Sequence, residues 1–152
     1  MKNNILSKLI GNDTEFNLRH RILNALALIG IFMSFSASAI NYFLGLGTLT
    51  VITTLGCGIL TIVLYLFSII GRHYELPALL SVIMLSFIFL PIMWVCNGGI
   101  NGSIPYYMVV NAGIIAFLLS GLKRIIIFVL YTIVTGVLIY IDYWMPTLIV
   151  EY

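Results

Sequence analysis

Long apolar runs alternate with short polar breaks along this chain, and the breaks fall at 1–21, 45–48, 71–75, 96–106, 121–124 and after 143. The runs between them are close to the roughly 20 residues that cross about 30 Å of hydrocarbon as a helix. The pattern predicts an all-α fold, a polytopic membrane helix bundle of five transmembrane helices at about 22–44, 49–70, 76–95, 107–122 and 125–143. These spans make one membrane domain over 22–146, preceded by an amphipathic juxtamembrane segment over 1–21 and followed by a short tail over 147–152. No internal repeat and no soluble domain are visible.

Composition agrees with the pattern. The chain is 62% hydrophobic and 8% charged with a mean hydropathy of +1.16, whereas soluble domains carry about 25% charged residues. That excludes a large soluble core. Within the spans, small and hydroxyl residues recur at helical spacing: Ser34 with Ser38, Thr53 with Cys57 and Thr61, and Thr132 with Gly136. In lipid such positions let helices approach closely, so these are candidate packing residues. Pro91 lies inside the third span and is expected to free the Phe87 carbonyl and kink the last turns. Trp94 falls at the depth of an aromatic belt. Cys57 and Cys96 lie far apart without CxxC spacing, which suits buried thiols rather than a disulfide or metal site.

Before the first span, Ile5, Leu6, Leu9 and Ile10 recur every three to four residues, as on a short helix lying in the membrane interface. Asp13 or Thr14 is expected to cap the helix that follows. His20, between Arg19 and Arg21, reads as an interfacial residue.

Charge placement sets an expected orientation. Every cation (Lys2, Lys8, Arg19, Arg21, Arg72, Lys123 and Arg124) falls in 1–21, 71–75 or 121–124, and none falls in the alternate breaks. The positive-inside rule then places the N-terminus in the cytoplasm and the C-terminus outside. None of the acids Asp13, Glu15, Glu75, Asp142 and Glu151 lies mid-span. Ion-coupled transporters normally need such a group at depth. Nucleophile-elbow, zinc-protease and phosphate-loop motifs are absent, and both His20 and His73 sit at the end of the spans opposite the central loop. No catalytic residue, metal or cofactor is expected, and the chain is not expected to be an enzyme.

The central loop is the distinctive stretch. Trp94-Val-Cys-Asn-Gly-Gly-Ile-Asn-Gly-Ser-Ile-Pro-Tyr-Tyr107 packs three glycines, two asparagines, a serine and a proline into nine residues, a composition that cannot continue a helix. Asn97, Gly98, Gly99, Gly102, Ser103, Pro105 and Tyr106 are the candidate ligand or sensing residues, because backbone polar groups are presented there free of a helix. Asp142, near Tyr140, Tyr143 and Trp144, ends the fifth span within possible reach of this loop.

Several segments taken together resemble a known class. They are Phe16-Asn-Leu-Arg-His-Arg-Ile-Leu-Asn24, Asn41-Tyr-Phe-Leu-Gly-Leu-Gly47, Asn97-Gly-Gly-Ile-Asn-Gly-Ser-Ile-Pro-Tyr106, the Lys123-Arg124 turn, and Ile141-Asp-Tyr-Trp-Met-Pro146. Over nearly the whole chain their order resembles the N-terminal membrane region of bacterial sensor histidine kinases and some diguanylate cyclases. That resemblance implies an input module of a two-component or related signal-transduction protein in the bacterial cytoplasmic (inner) membrane. It also implies a homodimer formed through the parent protein, and a further span and output domain beyond 152. The expected partners are the lipid bilayer and a small-molecule or lipophilic stimulus, with no nucleic acid. The alternative expectation is a small solute-binding membrane protein, such as a substrate-capture subunit of a transporter.

Overall fold

The structure, a computed structural model, describes residues 9–12 and 15–149. It is all-helical among the described residues. Four helices are long and apolar enough to cross a membrane: α1 (Leu18–Phe43), α2 (Thr48–Gly71), α3 (Glu75–Cys96) and, after a shorter apolar helix α4 (Ile104–Leu118), α5 (Gly121–Trp144). Two short 3₁₀ turns flank the loop and the end of α5, Gly99–Asn101 and Pro146–Leu148.

An apolar core is surrounded by an apolar surface, unlike the polar surface of a soluble protein. Phe32, Ile70, Val109 and Leu122 are each more than 70% exposed, while Asn24, Thr50, Thr54, Ser68, Ser86 and Asn111 are at most 3% exposed. Apolar side chains face outward where hydrocarbon would solvate them, and polar ones pair inside, as expected of helices packed in lipid. The chain is therefore membrane-embedded.

α1 and α2 form the most extensive pair. Small residues permit it: Gly58 of α2 lies against Ser34 and Phe35, and Gly30 of α1 lies against Thr61. The Ser38 hydroxyl donates to the Val51 carbonyl at 3.3 Å. Cys57 and Thr61 are buried, whereas Thr53 is only half-buried beside the fully buried Thr54. Cys57 and Cys96 are both free, buried thiols. The pair Thr132–Gly136 lies on the exposed side of α5: Thr132 borders a groove shared with α4, and a Cβ on Gly136 would meet no described residue within 4 Å.

α3 is the most enclosed helix, with 39% of its most apolar window inside the bundle against 11% for α5. Its middle winds as a six-residue π-helical stretch, Met84–Phe89, closed by the Leu90 amide donating to the Leu85 carbonyl. Pro91 explains the position. Its ring would press on the Phe87 carbonyl and it donates no hydrogen bond, so a wider turn just before it relieves the crowding. Ser86 sits in that stretch and accepts a 2.8 Å hydrogen bond from the Asn111 amide of α4.

At one end of the bundle, Asn17 rather than Asp13 or Thr14 caps α1, its carboxamide oxygen accepting from the His20 amide at 2.9 Å. Positions 13 and 14 lie outside the described residues, as do Ile5 and Leu6 of the expected interfacial helix. His20 is buried among the helices. It is 4% exposed, its Nε2 lies 2.8 Å from Ser68 Oγ, and Ser68 in turn donates to Asn24 Oδ1 at 2.6 Å. Asn24 Nδ2 continues the chain to the Ile10 carbonyl at 3.0 Å, and the Tyr65 hydroxyl donates to the Leu9 carbonyl at 2.8 Å. The fourth helix stops at Leu118 rather than near 122. The Tyr74 hydroxyl donates to the Leu118 carbonyl, supplying a partner that this helix end would otherwise lack. Burial raises the Tyr74 phenol above its usual range, partly offset by Arg19, so the hydroxyl keeps its proton. Arg72 pairs with Glu15 at 3.3 Å and Lys123 with Glu75 at 2.7 Å. All described cations gather at this charged end, and Ile104 at the start of α4 lies at the other.

Candidate functional site: a polar mouth at the loop end

The loop end is built on glycine. Gly98 and Gly99 both take positive φ, +74° and +54°, and open the 3₁₀ turn that follows α3. Gly99 is also demanded by proximity, since a methyl group there would overlap the Asp142 carboxylate. Gly102 is demanded by the Asn97 carbonyl, which occupies the space a Cβ would need. These two contacts fold the loop back on itself. The Ile100 amide then donates to Asp142 Oδ2 at 2.6 Å, anchoring the turn to the end of α5. The acid at the end of the last helix thus holds the loop in place across 42 positions of sequence.

This anchoring leaves a concavity of about 590 Å³ lined by Asn41 and Leu46 from the α1–α2 corner and by Asn97, Gly98, Asn101, Gly102 and Ser103 from the loop. Ligand sites commonly span about 300–1,000 Å³. Three carboxamides, one hydroxyl and exposed backbone supply donors and acceptors in one place with no formal charge in the lining. The chemistry suits a small, uncharged, polar solute.

Of the residues singled out from sequence, Asn97, Gly98, Gly102 and Ser103 line this mouth together. Gly99 is buried behind it against Asp142. Pro105 starts α4 and lines a different, apolar groove, and Tyr106 projects outward at 77% exposure. Asn41, Leu46 and Asn101 complete the lining without having been singled out. Asn41 carried a readable signal, because a carboxamide at the last turn of an apolar span is expected to meet polar partners. Among the described residues no group of three or more His, Cys, Asp or Glu side chains is placed to hold a metal ion.

The chain matches no family model, no curated protein and no solved structure.

Proposed function

We propose that this chain is the membrane-embedded input module of a signal-transduction protein of the bacterial cytoplasmic membrane, with a sensor histidine kinase as the parent type its residue pattern suits best. In this reading all five helices cross the bilayer, the charged end faces the cytoplasm, and the mouth opens outside. Contacts support five crossings: Tyr74 meets Leu118 at the charged end, while the loop before Ile104 meets Asp142 at the other. α4 at 15 residues is about 22 Å long, short for a span. It is flanked by the extended Leu119 and Ser120, which lengthen its reach. The cations at the charged end follow the positive-inside rule.

The observation that carries the reading is the polar mouth itself: an uncharged recognition surface tied to the end of α5 and bordered by the α1–α2 corner. A solute filling it would bear on both elements at once, and a difference in affinity between two packings is all that signalling requires.

The test uses the chain in lipid nanodiscs with spin labels at Leu46 and Lys123, challenged with a panel of uncharged polyols, amides and small peptides. Binding at the mouth accompanied by a change in distance at the Lys123 label supports an input module. Binding without movement at the charged end is the behaviour of a solute-capture protein and contradicts it. No binding by any member of the panel contradicts both.

A further inference from the structure

The chain ahead of α1 is strapped onto the charged end. The Tyr65 hydroxyl of α2 and the Asn24 carboxamide of α1 donate to the successive carbonyls of Leu9 and Ile10, at 2.8 and 3.0 Å. Gly11 then turns at φ +101°, where a Cβ would overlap the Phe16 ring. The Asn12 carbonyl accepts the amides of Glu15 and Phe16. Phe16 is buried and meets the His20 ring edge to face, with centroids 4.6 Å apart. Asn24 is the hub of this arrangement. Its Nδ2 holds the strap, and its Oδ1 accepts the Ser68 hydroxyl proton. With that proton committed, Ser68 Oγ can only accept from His20, so His20 Nε2 carries a hydrogen and Nδ1 is left to take up a second one.

The surroundings of the ring suit its neutral form. Phe16, the Tyr74 ring at 5.7 Å and the Ser68 carbonyl at 3.2 Å face it, and the Tyr65 hydroxyl is turned to Leu9. Arg19 and Arg21 adjoin it in sequence. The nearby acids are engaged elsewhere, Glu15 by Arg72 and Glu75 by Lys123. A second proton would therefore put a buried charge beside two cations with no carboxylate turned towards it, a cost that the Ser68 carbonyl and the aromatic rings offset only in part. We propose that His20 is a proton-sensitive clasp: while its ring is neutral, Ser68 and Asn24 hold residues 9–12 and Phe16 against α1 and α2, and protonation of the ring releases them. The clasp is thus closed at higher pH and opens as the pH falls through the titration of the ring. It acts at the charged end and does not depend on whether the mouth binds a solute.

The test places a spin label on Asn12→Cys, an exposed position, in the Cys57→Ala/Cys96→Ala chain in lipid nanodiscs. The pH is lowered from about 8 to about 5, the range over which histidine changes charge. The ratio of mobile to immobile label is expected to rise, by up to about tenfold per pH unit for a single proton. His20→Gln keeps a donor at the Nε2 position without a titrating ring and is expected to stay immobile throughout. The other histidine, His73, is exposed and stacks on Phe67, and His73→Gln is expected to keep the full response. A ratio that stays level or falls with acid in the chain with His20 intact overturns the proposal, whether or not His20→Gln folds. So does an equal rise in His20→Gln, or loss of the response in His73→Gln.

Discussion

Asp142 at the end of α5 accepts the Ile100 amide proton at 2.6 Å, and this one hydrogen bond joins the last long helix to the loop between α3 and α4. Hydrogen bonds to charged acceptors contribute about 1.5–3 kcal/mol, less where water competes. Asp142→Ala is therefore expected to cost about 1–2 kcal/mol against SDS-induced unfolding. It is also expected to raise hydrogen exchange at Ile100 while leaving the charged end protected. Asp142→Asn keeps a neutral acceptor and is expected to lose about half as much.

The same carboxylate accounts for Gly99. Gly99→Ala is expected to destabilise, both by overlap with Asp142 and by holding alanine at φ +54°. Adding Asp142→Ala removes the overlap, so the double variant should be less destabilised than the sum of the two singles, a coupling of about 1 kcal/mol. Gly102→Ala meets the Asn97 backbone instead and finds no such relief. Its loss should be the larger and should persist in every Asp142 background.

At the charged end, His20, Ser68, Asn24 and the Ile10 carbonyl form a continuous buried chain of hydrogen bonds. Ser68→Ala breaks two links at once. Interhelical hydrogen bonds in lipid average about 0.6 kcal/mol with an upper end near about 1.7. Ser68→Ala is expected to cost about 1–2 kcal/mol, because Asn24 Oδ1 is left unpaired while His20 Nε2 keeps the Ser68 carbonyl at 3.2 Å. A double cycle with Asn24→Ala should show strong non-additivity; independent losses would mean that the chain of bonds does not act as a unit.

Asn111 of α4 donates to Ser86, which lies in the wide-wound stretch of α3 ahead of Pro91. Pro91→Ala restores a backbone donor and lets the helix tighten. Asn111→Ala should then cost less in the Pro91→Ala background than in the native chain, as read from denaturant midpoints.

The four long apolar helices were legible because hydropathy and helix length are local properties, and the loop was legible because Asn97 to Pro105 cannot continue a helix. Which loop residues face the mouth was not, since Gly99 turns behind it towards an acid 43 positions later. The burial of His20 was not legible, because two arginines flank it. What buries it is Ser68 on another helix, hinted at only by the i, i+4 spacing of His20 and Asn24 on one face. The end of α4 was misplaced because Leu119 and Leu122 continue the apolar run, whereas the backbone is extended at Leu119 and Ser120 and turns at Gly121 with φ +61°.

The account depends most on the loop end and the charged end lying on opposite sides of the membrane. In a Cys57→Ala/Cys96→Ala background, single cysteines replace the exposed Ser103 and, separately, the exposed Arg124. Intact cells are then treated with a membrane-impermeant maleimide. Ser103→Cys is expected to label directly, and Arg124→Cys only after permeabilisation. Labelling of both from the same side, or of Arg124→Cys alone in intact cells, would contradict the account.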